Sequence, residues 1–76
     1  MTNAQITSFC SDLTATDATV GIQRTRDGGA RIDMRSVPCG PAHAKLIDML
    51  RAADADPGVS IQDRRGRFAW WDLCCE

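Results

Sequence analysis

The sequence has a single histidine, no glycine-rich phosphate loop and no apolar run near the roughly 18 residues that a membrane-spanning helix needs. Its N-terminal stretch, MTNAQITSF, lacks the basic region and following apolar stretch of an export signal. Acidic residues are scattered, and no serine has the sequence context of a nucleophile elbow. We therefore expect a cytoplasmic protein that contacts no membrane, binds no cofactor and is not an enzyme.

The chain also has little net charge. Nine cations and ten anions give a formal charge of −1 at pH 7, which provides no general attraction to nucleic acid, and no RNP-type signature is present. Eight of the nine cations are arginine, the cation better suited to bidentate contacts at an interface. We expect one compact domain over residues 1–76, whose small core leaves only a few kcal/mol of net stability.

Two segments have the apolar spacing of amphipathic helices. In TNAQITSFCSDLTAT, Thr2 and Gln5 have capping-box spacing, and an apolar stripe follows them. Cys10 belongs to that stripe, so it is interpreted as a core residue. In PCGPAHAKLIDMLRAADADPG, Gly40 is a plausible cap and Pro41 suits the first helical position.

The stretch TVGIQRTRDGGARIDMRSV predicts a β-hairpin. A three-residue loop of Asp27, Gly28 and Gly29 pairs Ile22 with Met34, keeps the apolar residues on one face and gives Gly29 the left-handed conformation. The reverse face then carries Thr19, Gly21, Gln23 and Thr25 opposite Arg31, Asp33, Arg35 and Val37.

A second hairpin is predicted in VSIQDRRGRFAWWDLCCE. Adjacent side chains of a strand point to opposite faces, so Trp70 and Trp71 cannot both enter one core. A three-residue loop of residues 64–66 sends Trp71 and Leu73 inward. Phe68, Trp70 and Asp72 then face outward, and this register avoids burying an unpaired carboxylate.

The element order is therefore α-β-β-α-β-β. Two helices on one face of a four-stranded antiparallel sheet is the simplest α+β packing that buries both apolar stripes. The other side of the sheet, called the outer face below, would be left uncovered, as an antiparallel sheet tolerates.

Exposed aromatic rings among arginines are the residue types that dominate protein-binding hot spots. We therefore expect the outer face to bind another protein. The residues predicted to make this contact are Arg31, Arg35, Arg64, Arg65, Arg67, Phe68, Trp70 and Asp72. Three alternatives stay open: Trp70 covered by the tail or a helix, a symmetric dimer through this face, and stacking of single-stranded bases.

In size, helix-and-hairpin construction and lack of catalytic residues, the chain resembles small phage or mobile-element inhibitors of the anti-CRISPR type. The resemblance implies direct binding to a bacterial defence complex, which blocks nucleic-acid access or nuclease recruitment. Trp70 and the loop arginines would anchor the contact. Alternatively, acidic residues would meet a basic groove of the partner; those residues are Asp54, Asp56, Asp63 and Asp72.

The stretch IDMRSVPCGPAHAKLIDML is also similar, over some nineteen residues, to TusA-like sulfur carriers. In that family a strand with Asp-x-Arg-Gly leads into a Cys-Pro-x-Pro turn and a helix. Asp33 and Arg35 match, and Cys39 would match the sulfur-carrying cysteine. Ser36 and Gly40 depart from the pattern. This similarity implies a thiol or sulfur-carrier function as the alternative to protein binding.

The four cysteines allow one further alternative. Without an export signal, reduced thiols are the default. Cys39 and His43 have the i, i+4 spacing that can share a metal ion, and Cys74 with Cys75 could complete four ligands. Zinc modules usually have paired knuckles instead, so no metal site is predicted.

Overall fold

The structure is a computed structural model that describes residues 1–57 and 70–76. Within these residues the chain is a small α+β protein with two helices and a three-stranded antiparallel sheet of order β1-β2-β3. We predicted four strands; the additional strand and its loop fall at residues 59–66, outside the described residues. The elements are α1 (Asn3–Thr16), β1 (Gly21–Arg24), β2 (Ala30–Asp33), α2 (Pro41–Ala52) and β3 (Trp70–Leu73).

Both helices begin as the sequence predicts. The Thr2 side chain accepts a hydrogen bond from the Gln5 backbone N–H at 3.2 Å, and the Gln5 side chain accepts one from the Thr2 N–H at 2.8 Å. This capping box satisfies two of the N–H groups that a helix start leaves without partners. α2 begins with Pro41 directly after Gly40, where the missing N–H of proline costs nothing.

The first hairpin has the predicted faces but not the predicted pairing. Ile22 lies opposite Ile32 rather than Met34, because the three-residue loop is Arg26, Asp27 and Gly28, one residue earlier than predicted. The Thr25 N–H donates to the Gly29 carbonyl at 3.0 Å and so closes this loop. The residue in the left-handed conformation is Gly28, with φ of 90°, and not Gly29. A shift of two residues preserves strand parity, so the division between core and outer face is unchanged.

Val37, predicted on the outer face, is instead buried. β2 ends at Asp33, and a turn follows in which the Val37 N–H donates to the Met34 carbonyl at 3.2 Å. Strand alternation no longer applies after the turn, so Val37 joins the core.

In the part of the chain that the structure describes, one cluster of buried apolar side chains joins both helices to one face of the sheet. α1 supplies Ile6, Cys10 and Leu13, and α2 supplies Leu46 and Leu50. The strands supply alternate residues, which therefore project from the same side. These strand residues are Ala30, Ile32, Trp71 and Leu73.

Candidate protein-binding face

The pairing of β2 with β3 brings three of the predicted site residues together, Arg31, Trp70 and Asp72. Arg31 lies opposite Asp72, and Asp33 lies opposite Trp70. Trp71 is 4% exposed in the core, whereas its neighbour Trp70 is only half-buried, on the outer face. The prediction that the Trp70 and Trp71 rings lie on opposite faces of the sheet is confirmed.

Arg31 and Asp72 form a two-point ion pair across the strands. Arg31 Nε is 2.8 Å from Asp72 Oδ1, and Nη2 is 3.2 Å from Oδ2. The hydrogen bond to this carboxylate raises the pKa of the Arg31 guanidinium. Parallel N–H···O bonds of this kind fix the plane of the guanidinium as well as its position. The pair therefore holds Arg31 in place on the outer face.

Arg35 is held by Asp33 within the turn that ends β2. The Arg35 backbone N–H donates to Asp33 Oδ1 at 2.8 Å, and Arg35 Nη2 donates to Asp33 Oδ2 at 2.9 Å. These contacts lower the pKa of Asp33, with the guanidinium hydrogen bond as the largest cause. Short Asp side chains readily cap the backbone two residues onward, which explains why this turn forms here.

The Trp70 ring lies within reach of both guanidinium groups. Its centroid is 4.3 Å from Arg35 Cζ and 5.6 Å from Arg31 Cζ, both within the range of cation–π attraction. Because Trp70 pairs with Asp33, its diagonal neighbours on β2 and the following turn are these two arginines. The cluster is thus a chain of contacts in the order Asp72, Arg31, Trp70, Arg35 and Asp33.

This cluster has two consequences for binding. Each cation is matched by a carboxylate, so the described part of the outer face offers a polyanion little net attraction. The arginines are also already ordered, so a partner that contacts them immobilises few additional rotamers. The cluster is suited to bind a polar protein surface that carries both charge signs, with the Trp70 ring at the centre of the contact.

Asp33 is not among the predicted site residues, although it is the residue that positions Arg35. The Asp-x-Arg spacing was the available signal, since a carboxylate two residues before a cation can bond both its backbone and its side chain. The remaining predicted contact residues lie outside the described residues: Arg64, Arg65, Arg67 and Phe68.

The acidic alternative is only partly represented in the described residues. Asp56 and Asp72 form a backbone bridge, with N–O distances of 2.9 and 2.6 Å, and Asp54 lies beside them at the same depression. Asp63 lies outside the described residues. Asp54 and Asp56 are exposed on that edge of the sheet. Both the acidic edge and the aromatic cluster thus border Asp72.

The cysteines and the histidine are dispersed. Cys39 is exposed just before α2, His43 is partly buried in its first turn, and Cys74 and Cys75 follow β3. Cys10 is buried as predicted, and burial raises the pKa of its thiol. Within residues 1–57 and 70–76 no group of three or more His, Cys, Asp or Glu residues is arranged to hold a metal ion.

We expect Asp33→Asn to reduce the acid sensitivity of folding. Because the folded-state pKa of Asp33 is lowered, its contribution is present above the unfolded value near pH 4 and is lost as the pH falls through the folded value. The ion pair is partly exposed, so the variant should lose no more than about 1 kcal/mol at pH 7. Urea titrations from pH 7 down to pH 2 measure this.

Asp48→Asn is the control, since it makes the same charge change on the exposed side of α2. Asp33→Asn and the parent protein should converge in stability at the acid end. A difference that stays constant across the pH range would mean that Asp33 stabilises the turn by its shape and not through its charge.

Within the described ranges, neither helix is long and apolar enough to span a bilayer. Comparisons of the chain with protein-family models, with curated proteins and with solved structures found no match.

Proposed function

We propose that this protein is a small, non-enzymatic binding module that attaches to another protein through its outer face. The observation that carries the proposal is Trp70, a large aromatic side chain on the side of the sheet opposite the core, with an arginine within cation–π distance on two sides. Trp and Arg are the residues most enriched among those that dominate binding energy.

The position of Trp70 is costly for so small a domain. Full burial of a large apolar side chain is worth about 1.5–3 kcal/mol, and Trp70 is left half-buried. The two cation–π contacts recover about 0.5–1 kcal/mol each at an exposed site. A partner surface that buries the remainder of the Trp70 ring would gain the free energy of burial that folding alone does not provide.

A protein is a better partner than a nucleic acid for this cluster. A phosphate backbone is recognised by cations that are free to replace its counterions. Arg31 and Arg35 are each paired with a carboxylate that already compensates their charge, so a phosphate gains little from binding their remaining N–H groups. A protein surface with both charge signs can bind without breaking either pair.

The module is proposed to be an inhibitor or adaptor that acts on a bacterial defence complex, as in small phage inhibitors of the anti-CRISPR type. Phe68 and the arginines of residues 64–67 remain predicted extensions of the same surface, as does a fourth strand at residues 59–63. Action inside the cytoplasm is part of this proposal, as is a partner other than a second copy of the chain.

We expect Trp70→Ala to remove most of the partner binding while leaving the protein folded. Loss of a central aromatic contact typically costs about 2–4 kcal/mol of binding, or roughly 30- to 1000-fold in affinity. The measurement is affinity capture from the source cell, mass spectrometry of the captured protein, and calorimetric titration of that protein against each variant. Circular dichroism checks that the fold is kept.

Two variants serve as controls. Phe9→Ala removes a partly buried aromatic ring from α1, away from the outer face, and should leave binding unchanged. Cys39→Ser should also leave binding unchanged, whereas the sulfur-carrier alternative requires this thiol. If Trp70→Ala binds as tightly as the parent protein, the outer-face proposal is wrong. Capture only of further copies of the chain would establish the symmetric dimer instead.

A further inference from the structure

The outer edge of β1 is a second surface, separate from the outer face. The Thr25 N–H donates to the Gly29 carbonyl at 3.0 Å, which sets the phase of the β1–β2 ladder. In an antiparallel pair, hydrogen-bonded and non-hydrogen-bonded pairs alternate, so Gln23 bonds Arg31 while Ile22 and Arg24 direct their N–H and C=O groups away from β2. Among the described residues, no backbone group pairs with the outward N–H and C=O groups of Ile22 and Arg24.

A shallow groove lies beside this edge, between β1 and α1. Ile22 and Arg24 project toward the helices, on the same side as Ala30 and Ile32. A strand added at the edge would place every second side chain in the groove. The groove is mostly apolar and is lined by Thr7, Cys10, Ser11, Thr14, Ala15, Ile22 and Arg24.

The charge at this edge is not balanced within the described residues. Arg24 donates to four neutral acceptors: the Gly28 and Gly29 carbonyls, Thr7 Oγ1 and Asn3 Oδ1. A guanidinium has five N–H donors, so one is left for a ligand. Arg26 is exposed in the hairpin loop after β1, and no described carboxylate lies within ion-pair distance of either arginine.

We propose that this edge binds an extended acidic segment of a partner protein by β-strand addition. The segment pairs with the outward N–H and C=O groups of Ile22 and Arg24. It places an apolar side chain in the groove beside Ile22, and it directs carboxylates toward Arg24 and Arg26. Backbone pairing provides affinity, and the two arginines together with the groove provide selectivity for the sequence of the segment.

A second copy of the chain fits the same edge less well. In a symmetric antiparallel pairing centred on Gln23, Arg24 would lie opposite Ile22 of the other copy. The two Arg24 guanidinium groups would then be diagonal neighbours, about 7–8 Å apart, and each copy would bring an additional Arg26. Like charges at such distances oppose pairing, and charged edges commonly prevent self-association of sheets. An acidic strand removes that repulsion.

The test uses an acetylated, amidated peptide, Glu-Thr-Glu-Thr-Val-Thr, which in antiparallel pairing sets valine beside Ile22 and glutamate beside Arg24. NMR titration should give saturable shifts at Ile22, Gln23 and Arg24, with slowed exchange of the Ile22 and Arg24 amide protons. The matched peptide Lys-Thr-Lys-Thr-Val-Thr should bind at least tenfold more weakly. Trp70→Ala should bind the acidic peptide as the parent does, which separates this site from the outer face.

Arg26→Glu gives the decisive charge exchange on an exposed side chain. It should weaken the glutamate peptide about fivefold or more and strengthen the lysine peptide. Arg51→Glu, an equal charge change on α2, should alter neither. The absence of saturable binding, or shifts confined to other strands, would overturn the proposal. Protected Ile22 and Arg24 amides in a protein that sediments as a dimer without peptide would also overturn it, in favour of a second copy.

Discussion

Trp71→Ala should leave the protein largely unfolded at 25 °C. Trp71 is 4% exposed, in the apolar cluster to which both helices and β3 contribute buried side chains. Replacing a buried tryptophan by alanine costs about 3–5 kcal/mol, through lost burial and the cavity that remains. A core of this size rarely supplies more than about 3–5 kcal/mol in total. The loss is therefore comparable to the whole stability of the domain.

Urea unfolding followed by circular dichroism measures the effect, and Trp70→Ala is the matched control one residue earlier. Trp70 is half-buried and contacts two arginines, so its removal should cost only about 1–2 kcal/mol. Trp71→Phe should recover part of the stability lost in Trp71→Ala. Equal destabilisation by Trp70→Ala and Trp71→Ala would contradict the division of the two rings between core and outer face.

Strand parity explains why this division could be predicted from the sequence. Only one residue of an adjacent pair can enter the core, and Asp72 decided between the two registers, because the alternative would have buried its carboxylate. In the structure the Asp72 carboxylate is on the outer face, as this register requires, and its charge is also compensated by an ion pair with Arg31. That pairing depends on the order of the strands, which the pattern of apolar residues does not specify.

The position of the first hairpin loop could not be predicted by the same reasoning. Moving the three-residue loop back by one residue shifts the pairing by two, so every side chain stays on the same face and burial cannot distinguish the two positions. The observed position gains specific polar contacts instead. Arg24 donates to the Gly28 and Gly29 carbonyls, and Asp27 accepts from the Gly29 N–H and from Thr25 Oγ1. Such contacts form only in three dimensions.

The residue types of the candidate site were predictable from the sequence, whereas the contacts among them were not. Hairpin parity predicted that Trp70 and the arginines Arg31 and Arg35 lie on the same face of the sheet. The ordered chain of contacts did not, because it depends on β2 lying beside β3 and on the turn after Asp33. Because Asp33 binds its guanidinium, Arg35 is a positioned cation and not a mobile one. An ordered, charge-compensated arginine favours recognition of a protein over binding of a phosphate.

Gly29→Ala should destabilise the protein by roughly 3 kcal/mol, although its backbone is not left-handed. A methyl group on Gly29 would overlap the Leu73 carbonyl oxygen, a backbone atom of β3. Neither partner can move aside independently, since Leu73 pairs with Ala30, the next residue. The substitution would force the hairpin loop away from β3 and loosen the adjoining core. Thermal and urea unfolding of the variant give the magnitude.

Gly28→Ala separates the two reasons for the glycine pair. Gly28 has φ of 90°, and an alanine there costs about 1–2 kcal/mol in backbone strain. Its added methyl would meet only side-chain atoms, Cys75 Sγ at 3.1 Å and Asn3 Nδ2 at 3.2 Å, which can move. Gly29→Ala should therefore be the more damaging of the two. The reverse order would mean that loop conformation, and not the close approach of the loop to β3, requires glycine here.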